Sequence, residues 1–351
     1  MSVFSIEGIS AAPGERAFGY IECSKTVSQI PIHIPVNIVN GAEDGPTLLV
    51  SAAVHGAEII GTLGLGKVLR ELDESKLRGT LIAAPVGNTS AFEFGTRTTY
   101  WDGQNMNRAW DMADPKGSPT AQLQHAYITK LVARADAHID IHSGSTDSYV
   151  WYTIYSSQRG TPETIARSKN MAIAFGLEQI FRTTPIRWRG GKAKADEDPT
   201  KEDPRSKIPR ITPEIGGGAD FLKDGQRQMA MCAEGIFNVM RLMDMIDGDI
   251  THESDKIQIV DAHDEEIWAG PDHAGIMLLD CERGDFLTKG DAYASVYHPF
   301  TGQKMAEIPA PSTGIVLNTG VVWPVVSQGK WLGVLGEVVE EVSLDTVDLK
   351  W

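Results

Sequence analysis

The stretch of the sequence with the clearest chemical potential is His55-Gly56-Ala57-Glu58, which follows the apolar run TLLVSAAV at 47–54. An imidazole and a carboxylate three positions apart can converge on one cation, and these two ligand types suit zinc. A lone His-x-x-Glu pair also arises by chance, as a turn histidine with a glutamate that complements the N-terminus of a helix. The pair therefore needs a further ligand before it indicates a metal site.

A second histidine supplies that ligand at the end of another apolar run, ADAHIDIH at 135–142. Alternation along a strand places His138, Asp140 and His142 on one face, so that Asp140 is positioned to support His142 from behind. Two histidines and one glutamate, with a fourth position open to water, form the ligand set of a catalytic zinc site. We therefore predict one zinc ion per chain, and we predict that His138 is packed rather than a ligand.

Hydrolysis at such a site also needs a base for the attacking water and a cation for the charge that develops on oxygen. Glu214 stands in the segment TPEIGGG at 212–218, where glycines allow a ligand to approach closely. Arg97, Asn107 and Arg108 lie in a turn-rich stretch, and an amide beside a guanidinium suits capture of a carboxylate. Taken singly, each of these residues is more often a surface residue than a catalyst.

The elements that must hold these residues follow the pattern of a parallel sheet with helices on its faces. Three continuous apolar runs predict strands buried on both faces: 47–54, 79–86 and 135–142. Residues 61–75 and 229–246 have helical spacing, and the alternating, proline-containing segment 30–40 predicts an edge strand. Ligands of such sheets bind beyond the carboxyl ends of the strands, which is where His55 and His142 stand.

The chain is acidic and otherwise ordinary in composition. Its 351 residues include 32 Lys+Arg and 47 Asp+Glu, for a net charge of −15, and 42% are hydrophobic. This balance argues against nucleic-acid binding, which relies on lysines and arginines that neutralise phosphates, and leaves a small molecule as the expected partner. No run of 18 apolar residues lacks a charge, so we expect no membrane-spanning helix and no membrane partner.

Cysteine use and the N-terminus bear on location. Cys23, Cys232 and Cys281 are odd in number and widely spaced, which is typical of a reducing compartment. The segment MSVFSIEGIS lacks the basic and long apolar regions of a signal peptide. We therefore expect a cytoplasmic protein, and the sequence leaves open whether it forms a homo-oligomer.

Two parts of the chain differ from the rest in composition and residue pattern. Residues 182–210 are charged and poor in apolar residues, which predicts a long loop; its basic residues Arg187, Arg189, Lys192 and Lys194 could read an acidic side chain or simply be solvated. From 257 onward short strands alternate with glycine turns. We therefore predict a hydrolase domain at 1–256 and an all-β appendage at 257–351.

Taken together and in order, the motifs resemble the succinylglutamate desuccinylase/aspartoacylase family, which belongs to the zinc carboxypeptidase-like structural group. The resemblance spans about residues 30–340 and rests on His55-Gly-Ala-Glu58, Asn88, Arg97, Asn107-Arg108, Asp140-Ile-His142 and Thr212-Pro-Glu214-Ile-Gly-Gly. It implies an α/β fold: a mixed, mostly parallel sheet with helices on both faces, followed by a C-terminal all-β barrel-sandwich domain.

The resemblance also implies roles for the candidate residues. It implies that zinc is bound by His55, Glu58 and His142. Glu214 would activate the water, Arg97 would polarise the scissile carbonyl, and Asn107 with Arg108 would hold the carboxylate of an N-acyl amino acid. The implied activity is a zinc-dependent amidohydrolase that removes an acyl group from such an amino acid.

Two alternatives remain open at the level of sequence. The same zinc machinery serves a carboxypeptidase or a small-peptide amidase. The chain could instead be a metal-binding or carrier protein without hydrolase activity, because Lys304-Met305 and the turns around it are similar to the hairpin of biotinyl/lipoyl carrier domains, where such a lysine is modified. A carrier, however, needs neither Glu214 nor Arg97.

Overall fold

A computed structural model of the chain describes residues 2–108, 110–144, 150–183, 204–217, 221–262, 266–320 and 324–351. The helices are α1 Ile60–Glu71, α2 Thr89–Phe94, α3 Pro119–Ala126, α4 Pro162–Phe175 and α5 Phe221–Leu242. Short 3₁₀ turns cover Glu74–Lys76, Trp110–Met112, Val132–Arg134 and Pro204–Lys207, and a π-helical turn covers Tyr127–Leu131. In the part of the chain that is described, no helix is both long and apolar enough to cross a membrane.

The strands up to residue 216 are β1 Phe4–Ile6, β2 Ile9–Ala11, β3 Glu15–Lys25, β4 Pro31–Asn40, β5 Glu43–Ala52, β6 Arg78–Ala84, β7 Ala137–Ile141, β8 Val150–Ser156, β9 Gln179–Thr183 and β10 Arg210–Gly216. Those that follow are β11 Lys256–Ala262, β12 Ile267–Trp268, β13 Gly275–Leu279, β14 Phe286–Leu287, β15 Ala292–Tyr297, β16 Lys304–Pro309, β17 Gly314–Thr319, β18 Val325–Val326 and β19 Trp331–Ser343. The predicted strands at 47–54, 79–86 and 135–142 correspond to β5, β6 and β7.

One large sheet runs through the molecule in the order β14-β17-β19-β11-β9-β8-β10-β7-β5-β6-β4-β3, with β12 beside β19. It is a mixed sheet. Among the described strands, five of its pairings are parallel and seven are antiparallel. A mostly parallel sheet is therefore not confirmed. Continuous apolar runs identify only strands buried on both faces, which here are the central parallel ones.

The segment at 30–40 departs from its predicted place. It forms β4, which lies between β3 and β6 rather than at the edge of the sheet. Residues 37–40 pair with β6, whereas within the described residues the part with Pro31 and Pro35 pairs with β3 alone. Because proline lacks an N–H, it is tolerated where a strand has a ladder on one side only.

Helices cover both faces of the central sheet. On one face, α1, α4 and α5 pack on residues such as Leu48 and Val50 of β5 and form the larger core. On the other face, α3 and the π-helical turn pack on Leu49 and on the inward residues of β4. Because successive residues of β5 face the two cores in turn, residues 48–50 are apolar at every position.

After Lys256 the described residues contain strands but no helices. β13, β15, β16 and β18 form a second, antiparallel sheet, and a separate core lies between it and the end of the large sheet. The large sheet itself continues into this part, because β11 pairs with both β9 and β19. The barrel-sandwich form and the division into 1–256 and 257–351 remain predictions.

Candidate metal centre and active site

The first two candidate ligands follow the carboxyl end of β5. Ala53 adopts a left-handed conformation, with φ 49°, which turns the chain as it leaves the strand. Gly56 then lies against α2, so close that a Cβ atom on residue 56 would overlap the Ala91 carbonyl. This tight path places His55 beyond the strand and Glu58 just before α1.

The three predicted ligands converge at this edge of the sheet. His142 follows β7, which is the neighbour of β5. Its Nδ1 atom lies 2.7 Å from Oε2 of Glu58, while Nδ1 of His55 lies 2.8 Å from Oε1 of the same carboxylate. Each side chain is 2% exposed, and the ligand atoms all lie within 4.8 Å of one another.

The groups behind the two imidazoles show that a metal cation fits between them. His55 Nε2 lies 3.0 Å from the side-chain oxygen of Asn105, and His142 Nε2 lies 3.5 Å from Oδ2 of Asp140. A neutral imidazole that directs its N–H toward such an oxygen keeps its lone pair on Nδ1. Both lone pairs then face the Glu58 carboxylate, and a cation between them satisfies all three groups. Two imidazoles and a carboxylate are ligands that zinc accepts.

The electrostatics of this cluster favour a bound positive charge. Burial lowers the pKa of His55, so that ring is neutral near pH 7. Burial alone would also lower the pKa of His142, but the Asp140 and Glu58 carboxylates raise it to about 10. Burial would raise the pKa of Glu58, yet His142 and His55 lower it to about 2. Glu58 is therefore ionised and His142 holds a proton, so the cluster favours a positive charge where a metal cation would bind.

A buried hydrogen-bond network holds Asp140 behind His142. Oδ1 of Asp140 accepts a hydrogen bond of 2.9 Å from the Ser51 hydroxyl. Tyr127 donates its own hydroxyl proton to Ser51 at 2.5 Å, and Nε2 of His138 lies 2.9 Å from both hydroxyl oxygens. All four side chains of this network are fully buried. His138 is thus packed, and Asp140 stands where its spacing from His142 predicts.

Two arginines that the sequence does not single out complete the charge balance of Asp140. Arg205 Nη1 and Arg210 Nη2 lie 3.5 and 3.3 Å from its Oδ2. Although burial would raise the pKa of Asp140, His142, His138 and Arg210 hold it well below its usual range. Arg205 lies 4.0 Å above the Trp110 ring, a stacked position that fixes its guanidinium.

Arg97 reaches the metal cluster from the loop after α2. Its Nη1 atom donates to Oε1 of Glu58 at 3.1 Å, although half of the side chain is exposed. Asn88 caps α2 through Ala91 N–H and donates to the Thr99 hydroxyl, which links the start of α2 to the loop that follows the helix. The arginine is therefore fixed at one end and open to solvent, as a group that meets a substrate must be.

Asn107 and Arg108 lie in the turn that follows. Oδ1 of Asn107 accepts from Trp110 at 3.2 Å and from Arg205 at 3.3 Å, so the group it can offer a substrate is its amide N–H. Arg108 Nη1 donates to the Asn107 carbonyl at 2.7 Å, and Gln124 donates to the Arg108 carbonyl at 2.7 Å. The pair is half-buried and built into the same network that supports Asp140.

Glu214 lies beside His142 on an adjacent parallel segment, and across the antiparallel β8–β10 ladder it faces Tyr152. Burial, together with the Glu58 and Asp140 carboxylates, raises the pKa of Glu214 to about 8, against the lowering effect of His142 and Arg97. A carboxyl group that titrates near neutrality can both accept and return a proton. All seven predicted site residues thus lie in or beside one region.

Sequence reasoning missed the supporting residues Ser51, Asn105, Tyr127, Arg205 and Arg210. Asn105 and Ser51 lie within stretches already singled out, and alternation along β5 could have found Ser51. Arg205 and Arg210 lie in the charged stretch 182–210, where their spacing carries no signal. Four basic residues proposed there as substrate readers fall outside the described residues: Arg187, Arg189, Lys192 and Lys194.

The site residues up to Glu214 fall inside a match to a family model. Residues 44–243 match the succinylglutamate desuccinylase/aspartoacylase catalytic domain. The chain is also 28% identical over 314 residues to the N-alpha-acetyl-L-2,4-diaminobutyric acid deacetylase of Halomonas elongata, with 89% of this chain and 88% of that protein covered.

Solved structures share the fold. The product-bound ectoine utilization protein of Ruegeria pomeroyi superposes with a TM-score of 0.76 at 23% identity, covering 92% of this chain and 94% of that one. A succinylglutamate desuccinylase/aspartoacylase of Rhodobacter sphaeroides superposes with a TM-score of 0.76 at 21% identity, covering 93% and 96%. Both superpositions cover more than nine-tenths of this chain, so the shared fold is not confined to the part before Lys256.

Proposed function

The chain belongs to the succinylglutamate desuccinylase/aspartoacylase family, as the order of its motifs predicts, and from this premise we propose its activity. We propose that it is a zinc-dependent amidohydrolase that removes the acyl group from an N-acyl amino acid by hydrolysis of the linear amide bond. The observation that carries the proposal is the convergence of His55, Glu58 and His142, with Glu214 on the adjacent segment.

His55, Glu58 and His142 would hold the metal, and the groups behind them keep their lone pairs directed inward. Bound there, zinc would supply Lewis acidity and lower the pKa of water. Asp140 orients the His142 ring and, as a buried anion, offsets the positive charge that gathers at the site. Ser51 and the two arginines keep Asp140 ionised and in place.

Glu214 is the general base and then the general acid. It takes a proton from the attacking water and returns it to the amine that leaves, so the amide C–N bond breaks as a carboxylic acid and a free amine form. Desolvation of this half-buried carboxyl group raises its pKa toward the working range of such a group. A neighbouring cation would lower this pKa and favour the carboxylate that accepts the first proton.

Three residues would bind the substrate. Arg97, held on Glu58 yet half exposed, polarises the acyl carbonyl and stabilises the negative charge that develops on its oxygen. The Asn107 amide N–H and the Arg108 guanidinium would hold the α-carboxylate of the amino acid. Because Arg205 fixes the Asn107 oxygen, the amide N–H keeps one direction.

A substrate panel tests this proposal. The purified protein, supplied with Zn²⁺, is assayed for free amine release from N-acetyl and N-succinyl amino acids with acidic, neutral and cationic side chains, and from dipeptides. The Halomonas elongata relative acts on an N-acetylated diamino acid by its name, so N-acetyl-2,4-diaminobutyrate belongs in the panel. Turnover of N-acyl amino acids above that of dipeptides supports a deacylase. Preference for dipeptides supports a peptidase, and no turnover of either class contradicts the proposal.

A further inference from the structure

β3 ends the large sheet with an unusually open edge. The strand is 11 residues long and, within the described residues, pairs only with β4. Its free side therefore presents a row of N–H and C=O groups that can pair with another strand. Proteins commonly protect such an edge with proline or charge, but residues 17–21 at the centre of β3 contain neither.

The two faces of β3 differ sharply. Gly19 and Ile21 face inward: Ile21 is 2% exposed, and a Cβ atom on Gly19 would come within 2.6 Å of Ile9. Phe18 and Tyr20 face outward, and each is 57% exposed. Their rings lie 5.1 Å apart, centroid to centroid, so they form one aromatic surface beside the open edge.

The outward face of β3 is chemically self-complementary. Along the strand it reads Arg16, Phe18, Tyr20, Glu22. If the strand pairs antiparallel with itself about Gly19, each Phe18 lies opposite Tyr20 of a second copy, and each Arg16 lies opposite Glu22. Residues directly opposite in an antiparallel pair share a face, and both aromatic and opposite-charge pairs stabilise such a ladder.

The ion pairs at the two ends of β3 fit the same arrangement. At one end the Arg16 guanidinium binds Glu74 at 2.6 Å and the Leu69 and Leu72 carbonyls of its own subunit, and at the other Glu22 pairs with Lys25 at 3.3 Å. Pairing about Gly19 would bring these two ends together, and at each end the carboxylate is already paired with a cation of its own subunit. This matters in a chain with a net charge of −15, since two copies repel each other overall.

From these features we propose that β3 is a homodimer interface, formed by antiparallel pairing with β3 of a second copy about Gly19. The sheet then continues from one subunit into the other. β4, β6 and β5 separate this edge from β7, so the metal cluster lies well inside each subunit. The proposal does not depend on the proposed activity.

Disulfide trapping tests the register directly. Two variants, Phe18→Cys and Tyr20→Cys, are made in a Cys23→Ser background and mixed, with oxidised glutathione as oxidant. The mixture should form a covalent dimer, because positions 18 and 20 of different copies lie opposite each other. Each variant alone should form far less, because equal positions are only diagonal neighbours. Equal trapping in all three samples, or none in the mixture, overturns the register.

Sedimentation velocity tests the interface without cysteines. The wild-type chain of 38.2 kDa should sediment at twice that mass at micromolar concentration. Glu22→Arg, which places two like charges opposite each other, should shift the equilibrium toward monomer by at least tenfold in Kd, and Glu22→Gln should shift it less. Phe300→Ser removes a 92% exposed side chain far along the sequence and should leave the dimer intact. A monomeric wild type, or a dimer that ignores Glu22→Arg, contradicts the proposal.

Discussion

His142 and Glu214 are held side by side by two backbone hydrogen bonds between their segments. His142 N–H donates to the Pro213 carbonyl at 2.8 Å, and Ile215 N–H donates to the His142 carbonyl at 3.0 Å. The candidate ligand and the candidate base are therefore positioned by the main chain, whatever their side chains bind. Substitution of either side chain should leave the other in place, which makes the site suitable for single-residue tests.

Loss of one imidazole should abolish metal binding. We expect about one zinc ion per wild-type chain and far less than one in His55→Ala or His142→Ala, with loss of turnover, because two ligands do not hold zinc firmly. Elemental analysis after gel filtration measures the metal content. His125→Ala, which changes a histidine in the last turn of α3, is the matched control and should keep both metal and activity. Full metal content in His142→Ala would show that the ligand set is misassigned.

Glu214→Gln should separate chemistry from metal binding. The amide keeps the size and much of the hydrogen bonding of the carboxylate but cannot take the proton, so we expect kcat to fall by about 10²–10⁴-fold. The zinc content should stay at the wild-type level. Steady-state kinetics and elemental analysis on the same sample measure both quantities. An unchanged kcat would remove Glu214 from the mechanism.

Arg108→Ala should weaken recognition of the substrate carboxylate. We expect KM for an N-acyl amino acid to rise about tenfold or more, because a charge-assisted hydrogen bond contributes roughly 1.5–3 kcal/mol. Turnover of the matching amino-acid amide, which lacks the negative charge, should change little. The exposed Arg70→Ala variant controls for the general loss of one positive charge. Equal effects on acid and amide would place Arg108 outside the carboxylate site.

Ser51→Ala should lower the affinity for the metal, although Ser51 is not itself a candidate ligand. Removal of the hydroxyl leaves Asp140 and His138 without a shared partner, and changes behind a metal ligand weaken metal affinity by about 10–100-fold. Competition with a chelating zinc indicator measures the affinity. Ser51→Thr, which restores a hydroxyl, should recover part of it. Unchanged affinity in Ser51→Ala would show that Asp140 is held without Ser51.

The stability of the chelator-treated protein should depend on Glu214 in a defined pH range. Since burial raises its pKa from 4.5 to about 8, the folded state binds this proton more tightly than the unfolded state does. The stabilisation is fully present below pH 4.5 and is lost as the pH rises through about 8. Between pH 5 and 8.5, wild type should therefore lose stability relative to Glu214→Gln, measured by urea unfolding. Parallel curves for the two proteins would contradict a raised pKa.

Sequence reasoning selects His55, Glu58 and His142, which converge in the structure, but misses the residues around them, and the reason is physical. His55 and His142 can be found from the sequence because each follows an apolar strand, and strand ends meet at one edge of a sheet. Asp140 can be found from the sequence because side chains alternate along a strand. Arg205 and Arg210 cannot be found in this way, since both lie in a stretch of mixed charge where nothing distinguishes a buried arginine from a solvated one.

The fold, too, can be predicted from the sequence only in part. Residues 47–54, 79–86 and 135–142 reveal strands because both of their faces are buried, but the order of strands depends on contacts between distant segments. The prolines of β4 indicate an edge, yet β3 covers that edge through an antiparallel ladder between segments that no local pattern pairs. The continuation of the large sheet past Lys256 likewise depends on long-range pairing between β9 and β11, which no local pattern encodes.

The place of β10 has a consequence for how the protein acquires its site. β10 follows both β7 and β8 in the chain, yet in the sheet it lies between them. On the sides that face each other, neither β7 nor β8 has a partner until residues 210–216 arrive, and such non-local pairing is slow to form. Because Glu214 lies on this inserted strand and the main chain of β10 also holds His142, the candidate site is complete only when residues 210–216 have entered the sheet. The candidate ligand His142 and the candidate base Glu214 thereby reach their places in the same step of assembly.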